Sequence, residues 1–380
     1  MLYAIDAHAI GCRLTGNEVY IRNLLENLSA ADPSARFIAY RASGAGNGWT
    51  PEGVSWRATT RNPFLRLGFD LGHSLRRDRP ALLHVQYTAP LGCPVPVVVS
   101  VHDVSFLEHP EFFQFLRARQ LRLTVSRTVK TAAKVVTGSE FSRSAIARAY
   151  GMDPASIAVV PNAASAGFRP LDRAAAAQAV LARFGIPGPF LLAVGDLQPR
   201  KNQVGLVRAF AKMAADRPRL KHSLVLAGKD TWFSKNVREA VRASRIGDRV
   251  CFPGFVTDEE LLLLYNACAF FVCPSLYEGF GLPLLEAMAC GRAVACSNVS
   301  ACPEVAGAAA VFFNPHDTEG MARVLTELAV DREFRAHLET QGLSRAAQFS
   351  WRKTAGMMVS IYRGVAKLGA RSPDPAAVLP

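Results

Sequence analysis

Two glutamates, Glu278 and Glu286, frame the stretch "EGFGLPLLE" with seven residues between them. Gly279 and Gly281 resist a helix interior, and Pro283 suits a first helical position. Leu284, Leu285, Ala287, Met288 and Ala289 read as a buried helix, and "AFFVCPS" (269–275) upstream reads as a strand. Residues 277–282 are therefore a loop that leaves a strand's carboxyl end and feeds a helix. Its glycines let backbone N–H groups approach a ligand closely. The helix N-terminus behind them favours an anion. Glu278 lies in the loop. Glu286 is placed in the first turn, its side chain leaning back toward the loop, so both carboxylates reach one ligand from different sides. A glycine turn with two surface glutamates would be spelled the same way, so the pair gains meaning from its company.

In "DLQPRKN" (196–202), Arg200 and Lys201 follow the apolar strand "FLLAV" and precede a helix. Two cations at a strand end match a diphosphate, though a solvated basic turn would look alike. His102 and Asp103 follow the β-branched run "PVVVSV" (96–101). There a neutral imidazole is a hydrogen-bond partner at pH 7, or a core or capping histidine. "GCRLTGNEVY" (11–20) joins the first strand to the first helix through Gly11 and Gly16. Thr15 or Asn17 either caps that helix or faces a ligand. No GxGxxG is present, which leaves a nicotinamide-dinucleotide site without its signature. No DxD-like acidic pair is placed for a metal, so neither metal nor cofactor is expected.

The elements that must position these residues alternate. "LYAID", "RFIAYR", "ALLHVQY", "PVVVSV", "AKVVTGS" and "IAVVP" read as strands in the first half, with a helix over 17–30. The rhythm breaks over 163–189 and resumes with "FLLAVG", "SLVLAG", "VCFPGFV", "AFFVCPS", "RAVACS" and "AAVFFNP". Continuous apolar strands alternating with helices predict parallel α/β sheets. At 380 residues the chain exceeds one core, so two domains are expected. We place them at 1–170 and 185–350, with a helix over about 355–368 packing back on the first.

The net charge is +13, and residues 1–185 carry 21 basic against 13 acidic side chains. This favours a polyanion, an anionic membrane surface or a phosphorylated substrate. A nucleic acid is not expected as partner, because no RNP, KH or zinc signature accompanies the charge. The eight cysteines include no CxxC pair and read as reduced, mostly buried thiols. No apolar run reaches the length of a membrane span, and the first residues lack a basic and then apolar leader. A cytoplasmic protein is expected. The stretch 112–134 interleaves six Arg and Lys with Phe, Leu and Val and shows no one clean basic face, so it is either a basic core helix or a surface for anionic lipid.

Taken together, "EGFGLPLLE", "VGDLQPRKN", "VHDVSFLEHPEFF", "TGSEFSRSAIA", "VVPNA", "PGFV" and "FSWRKTA" strongly resemble the family 4, or group 1, retaining glycosyltransferases, over nearly the whole chain. The relatives include phosphatidylinositol and O-antigen mannosyltransferases. The resemblance implies a GT-B fold: two Rossmann-like domains whose parallel sheets face a central cleft. It implies donor binding by Gly16, Gly195, Arg200, Lys201, Glu278, Gly279, Phe280, Gly281, Leu282 and Glu286. It further implies catalytic roles for His102, Glu278, Arg200 and Lys201, with Thr15, Asn17 and Asp103 on the acceptor side. The implied donor is a nucleotide-diphospho sugar, foremost GDP-mannose, and the acceptor a glycan or lipid-linked oligosaccharide, with possible docking on the inner membrane face. A UDP-sugar transferase, a nucleotide-sugar epimerase and a nucleic-acid-binding protein are the alternatives. Where many relatives carry arginine after the strand-end glycine, this chain has Asp196.

Overall fold

In the computed structural model the described residues are 1–12, 15–44 and 49–369. They form two compact units, one of Met1–Asn162 together with the chain from Ser350, the other of Ala163–Phe349. Segment 163–170 thus lies in the second unit rather than the first. The reason is local: Leu171 N donates to Asn266 Oδ1, and Asn266 Nδ2 donates to the Arg169 carbonyl, tying this stretch to the helix Asp258–Ala267. Within the expected linker, Arg173–Phe184 is a regular helix. Asp172 caps it, and Gly185 ends it at a positive φ.

The first unit holds seven parallel strands: β1 (Leu2–Asp6), β2 (Arg36–Ala42), β3 (Val54–Thr59), β4 (Leu83–Gln86), β5 (Val97–Ser100), β6 (Lys134–Thr137) and β7 (Ile157–Val159). Their order is β3-β2-β1-β4-β5-β6-β7. The second unit holds six: β8 (Phe190–Val194), β9 (Ser223–Ala227), β10 (Val250–Gly254), β11 (Phe270–Cys273), β12 (Val294–Ser297) and β13 (Val311–Phe313), ordered β10-β9-β8-β11-β12-β13. The strand order reverses between β1 and β4 in one sheet and between β8 and β11 in the other. In such sheets a crevice opens at the carboxyl ends beside the reversal, because the flanking helices run to opposite faces. The sequence positions singled out above follow β1, β5, β8 and β11.

Strand β3 was not anticipated. It is an edge strand paired only to β2, with Trp56, Arg57 and Ala58 partly or largely exposed, so its sequence lacks a continuous apolar run. After it the chain makes a π-type turn at Arg66–Asp70, which delivers the Arg66 guanidinium to the buried Asp6 carboxylate at the end of β1. Such turns let a helix re-aim a side chain.

The helix Trp351–Gly369 belongs to the first unit and lies along the helix Thr15–Ala31. Its Tyr362 hydroxyl is 2.7 Å from His84 Nδ1. The chain of contacts continues from His84 Nε2 to Ser100 Oγ at 2.8 Å, and on to the Tyr20 hydroxyl at 2.9 Å. All four side chains are buried. Arg363 pairs with Asp32 at the other end of that contact. Among the described residues no disulfide forms: five of the eight thiols are buried, and Cys12 is exposed.

Candidate functional residues of the two units

The second unit assembles its site where β8 and β11 end side by side. Gly195 closes β8 with φ at 145°, a region that side-chain-bearing residues rarely adopt. A Cβ placed there would lie 2.9 Å from Lys201 Cε, so the lysine stem runs directly over the glycine. Arg200 and Lys201 occupy a short 3-10 turn, Pro199–Lys201, and Asn202 leaves it in the left-handed region. The loop after β11 is stitched to this turn, since Leu276 N donates to the Arg200 carbonyl at 2.8 Å.

Glu278 is the hub. Its Oε1 accepts from Lys201 Nζ at 2.6 Å and from Ser275 Oγ at 2.6 Å, and its Oε2 accepts from Arg200 Nη1 at 2.9 Å. Arg200 Nη1 also donates to the Tyr277 carbonyl at 2.9 Å. Glu278 is buried, and burial alone would raise its pKa. The Lys201 and Arg200 cations, with hydrogen bonds from Lys201 and Ser275, outweigh burial and hold the carboxyl at about 2. The two cations expected to grip a diphosphate are thus already paired to the carboxylate expected to meet the sugar.

Glu286 has the opposite electrostatics. The helix runs Leu282–Ala289, with Gly281 before it at φ 93°. Leu282 is therefore its first residue, and Glu286 the fifth, beyond the first turn where the sequence placed it. This carboxyl is buried and accepts from the Tyr265 hydroxyl at 2.9 Å. Burial, helped by the charge of Asp258, pushes it up to about 7 against the lowering effects of Tyr265 and Lys201. Gly279 and Gly281 are buried in the loop. Phe280 packs edge-on to Phe349 with ring centroids 6.0 Å apart, and Leu282 is partly exposed.

In the first unit, His102 sits two residues past β5. Its Nε2 lies 2.8 Å from Gln86 Oε1, and its ring meets the Tyr20 and Tyr87 rings edge-on at 4.7 and 5.5 Å. Burial pushes its pKa down to about 4, against the charge of Asp103, so the imidazole is neutral at pH 7. Asp103 Oδ1 accepts from Ser105 N and Oγ at 2.9 and 2.6 Å, which fixes the turn after β5. Gly16 opens the first helix exposed, and a Cβ there would meet nothing within 4 Å. Asn17 offers its carbonyl to Gln86 Nε2 at 3.2 Å. The Thr15 side chain lies outside the described residues.

The family profile "Glycosyl transferases group 1" matches residues 184–345, and "Glycosyltransferase Family 4" matches 14–166. The chain is 32% identical to O-antigen chain mannosyltransferase B of Escherichia coli over 267 residues, 70% of each chain. It belongs to the group 1 glycosyltransferases. A further relative of this glycosyltransferase, the serotype-specific mannosyltransferase WbdA of E. coli, is 36% identical over 48% of this chain and 22% of its own length. Among solved structures, sucrose-phosphate synthase from Thermosynechococcus elongatus superposes with a TM-score of 0.79 at 21% identity, covering 98% of this chain and 99% of its own. WaaG, a glycosyltransferase involved in lipopolysaccharide biosynthesis, gives 0.75 at 16% identity, covering 96% and 100%. The fold is GT-B.

Four side chains that partner the candidate residues of the two units escaped the sequence reading. Ser275 and Tyr265 each donate to one of the two glutamates. Lys229, after β9, places its Nζ 3.5 Å from Asp196 and so puts a cation beside the unexpected acid. Gln86 joins His102 to Asn17. A signal for Gln86 exists: His84 and Gln86 are polar, yet they interrupt a strand apolar enough to be buried on both faces.

Proposed function

We propose that this glycosyltransferase moves mannose from GDP-mannose, with retention at the anomeric carbon, to a glycan or lipid-linked acceptor in cell-surface polysaccharide synthesis. The observation that carries this reading is the Glu278–Arg200–Lys201 cluster, with Glu286 on the helix behind it, at the strand-order reversal of the second unit. The similarity to an O-antigen mannosyltransferase supports the choice of sugar. In this mechanism the donor diphosphate takes Arg200 and Lys201 from Glu278, and the released carboxylate accepts from the sugar's hydroxyls. Glu286 accepts from the ribose. The bond from the anomeric carbon to the phosphate oxygen breaks, the bond to the acceptor oxygen forms, and the acceptor proton passes to the departing diphosphate. Charge neutralisation by the two cations makes the reaction independent of a metal, and positioning with electrostatics supplies most of the acceleration.

A panel of GDP- and UDP-sugars scored by thermal shift, then by turnover, tests the donor. A UDP-sugar as the sole productive donor overturns GDP-mannose. Calorimetry with GDP alone tests the division of labour. Glu286→Ala is expected to weaken GDP by about tenfold or more, as loss of hydrogen bonds to a charged group does. Glu278→Ala frees the two cations, so it is expected to leave GDP affinity equal or tighter while abolishing most transfer. Equal losses in both variants contradict the assignment.

Among the described residues no helix is long and apolar enough to cross a membrane. We propose peripheral docking of the first unit on an anionic cytoplasmic leaflet through the helix Phe115–Thr131. That helix buries Ala118, Val125, Thr128 and Val129, while Phe115, Leu116 and Leu123 are 68%, 79% and 73% exposed beside the exposed Arg117, Arg119 and Arg122. Each such cation near an anionic leaflet contributes about 1 kcal/mol, screened by salt. Co-sedimentation with phosphatidylglycerol vesicles at low salt is expected, and it should be lost at high salt or in Leu116→Ser/Leu123→Ser. Protein remaining in the supernatant at low salt refutes the docking.

A further inference from the structure

Strands β8 and β9 run parallel with Val194 opposite Ala227, so they end level, both inside the second unit. The residues that follow them lie against one another. A Cβ on Gly228 would stand 2.1 Å from the Gly195 carbonyl oxygen, an approach that only glycine allows. Leu197 N donates to the Lys229 carbonyl at 3.0 Å, and Lys229 N donates to Asp196 Oδ1 at 3.3 Å. The Thr231 hydroxyl donates to the Leu197 carbonyl. The loop after β9 is thereby sewn to the loop that carries Arg200 and Lys201. At this seam Lys229 Nζ faces Asp196 Oδ2 at 3.5 Å, and the lysine side chain is 30% exposed. The contact is looser than the 2.6 Å between Lys201 and Glu278, and longer than a charge-assisted hydrogen bond.

The balance of charge at these strand ends points to a use for the pair. Arg200 and Lys201 share Glu278. With the Asp196 carboxylate added, two cations would stand against two carboxylates, a neutral setting for a ligand that brings two negative phosphates. Lys229 restores the positive excess. Asp230, the other acid of its loop, is engaged by Arg238 at 3.0 Å. We propose that Lys229 is a third cation of the donor site, which leaves Asp196 for a phosphate oxygen when a nucleotide diphosphate binds. The proposal rests on the reading of Arg200 and Lys201 as diphosphate ligands and adds to it a residue from a different loop. A lysine suits such an exchange, because its ammonium is a point charge on a flexible stem with no donor plane to realign. The exchange also gives up little, since a partly solvated ion pair of this length is weak.

The test is calorimetry on the full chain with GDP and with UDP, each beside its phosphate-free nucleoside. Lys229→Met keeps the apolar stem and removes the charge. It is expected to weaken the better-bound diphosphate by about tenfold and to leave the matching nucleoside unchanged. Asp196→Asn removes the competing carboxylate and is expected to bind the diphosphate as tightly as wild type or more tightly. The double variant separates contact from shielding. If Lys229 touches a phosphate, Lys229→Met also costs about tenfold in the Asp196→Asn background. If Lys229 only masks Asp196, that loss vanishes once the carboxylate is gone, and the proposal is overturned. Equal losses of diphosphate and nucleoside in Lys229→Met overturn it as well, since the variant then disturbs the whole site. Lys201→Ala is the control for the underlying reading. An unchanged diphosphate affinity there removes the diphosphate site itself, and Lys229 with it. A loss there beside an unaffected Lys229→Met overturns the Lys229 contact alone.

Discussion

Lys201→Ala is expected to lower kcat/KM for transfer by about 10- to 150-fold, the kinetic equivalent of the 1.5–3 kcal/mol that a charge-assisted contact to a desolvated anion supplies. Two effects combine. The lysine's charge is gone from the departing diphosphate, where negative charge grows as the glycosidic bond breaks, so kcat should fall as well as KM rise. Glu278 also loses one of the two cations that hold it ionised, leaving Arg200 as its remaining charged partner. The variant must be compared with wild type in melting temperature, because removing one member of a buried ion pair also destabilises the fold. Unchanged kcat/KM in a folded Lys201→Ala protein would remove the diphosphate assignment.

The two glutamates are expected to respond oppositely when each is made neutral without changing shape. Glu278 is held at about 2, below its ordinary 4.5. A group depressed in this way adds stability that is fully present above 4.5 and is lost as the pH falls through about 2, about 3 kcal/mol in all. Glu286 is raised to about 7. Its contribution is intact below 4.5 and is lost as the pH rises through about 7, again by about 3 kcal/mol. At pH 8 and without ligand, Glu278→Gln should therefore lower the melting temperature of the second domain, and Glu286→Gln should raise it, each by roughly 5–10 °C. At pH 5 the gain from Glu286→Gln should shrink to a small fraction, while the loss from Glu278→Gln persists. Both variants should transfer sugar poorly. Calorimetric melts of the two proteins at the two pH values check this. A Glu286→Gln protein that melts below wild type at pH 8 would show that the carboxylate stabilises the empty site.

Much of this arrangement is legible in the letters. The apolar runs of β1, β4, β5, β8 and β11 mark buried parallel strands, and the glycines and cations after them mark strand ends. Short-range signals of this kind survive because burial on both faces leaves a strand few residue choices. The pairing of Glu278 with Arg200 and Lys201 is invisible in sequence, because it joins loops 77 and 78 residues apart through a reversal of strand order. Lys201 and Glu278 look like two separate ligand contacts until the fold places them 2.6 Å apart. The exposed edge strand β3 and the π-type turn at Arg66–Asp70 carry no periodic pattern to read. Tyr265 and Gln86 act on other protein groups, and residue type alone says nothing of a partner.

The C-terminal helix gives the chain an unusual order of assembly. Tyr362 supplies the hydroxyl that faces His84 Nδ1, and Trp351 packs edge-on to Tyr20, so residues 1–162 alone leave buried polar atoms and an apolar helix face without their cover. Domains usually complete themselves in the order in which a ribosome delivers them. Here the second unit, Ala163–Phe349, has all its strands before the first has its last helix. The first unit must wait, partly built, for a segment that is made after the second. A translation that stops shortly before Trp351 therefore yields a finished second unit attached to an unfinished first.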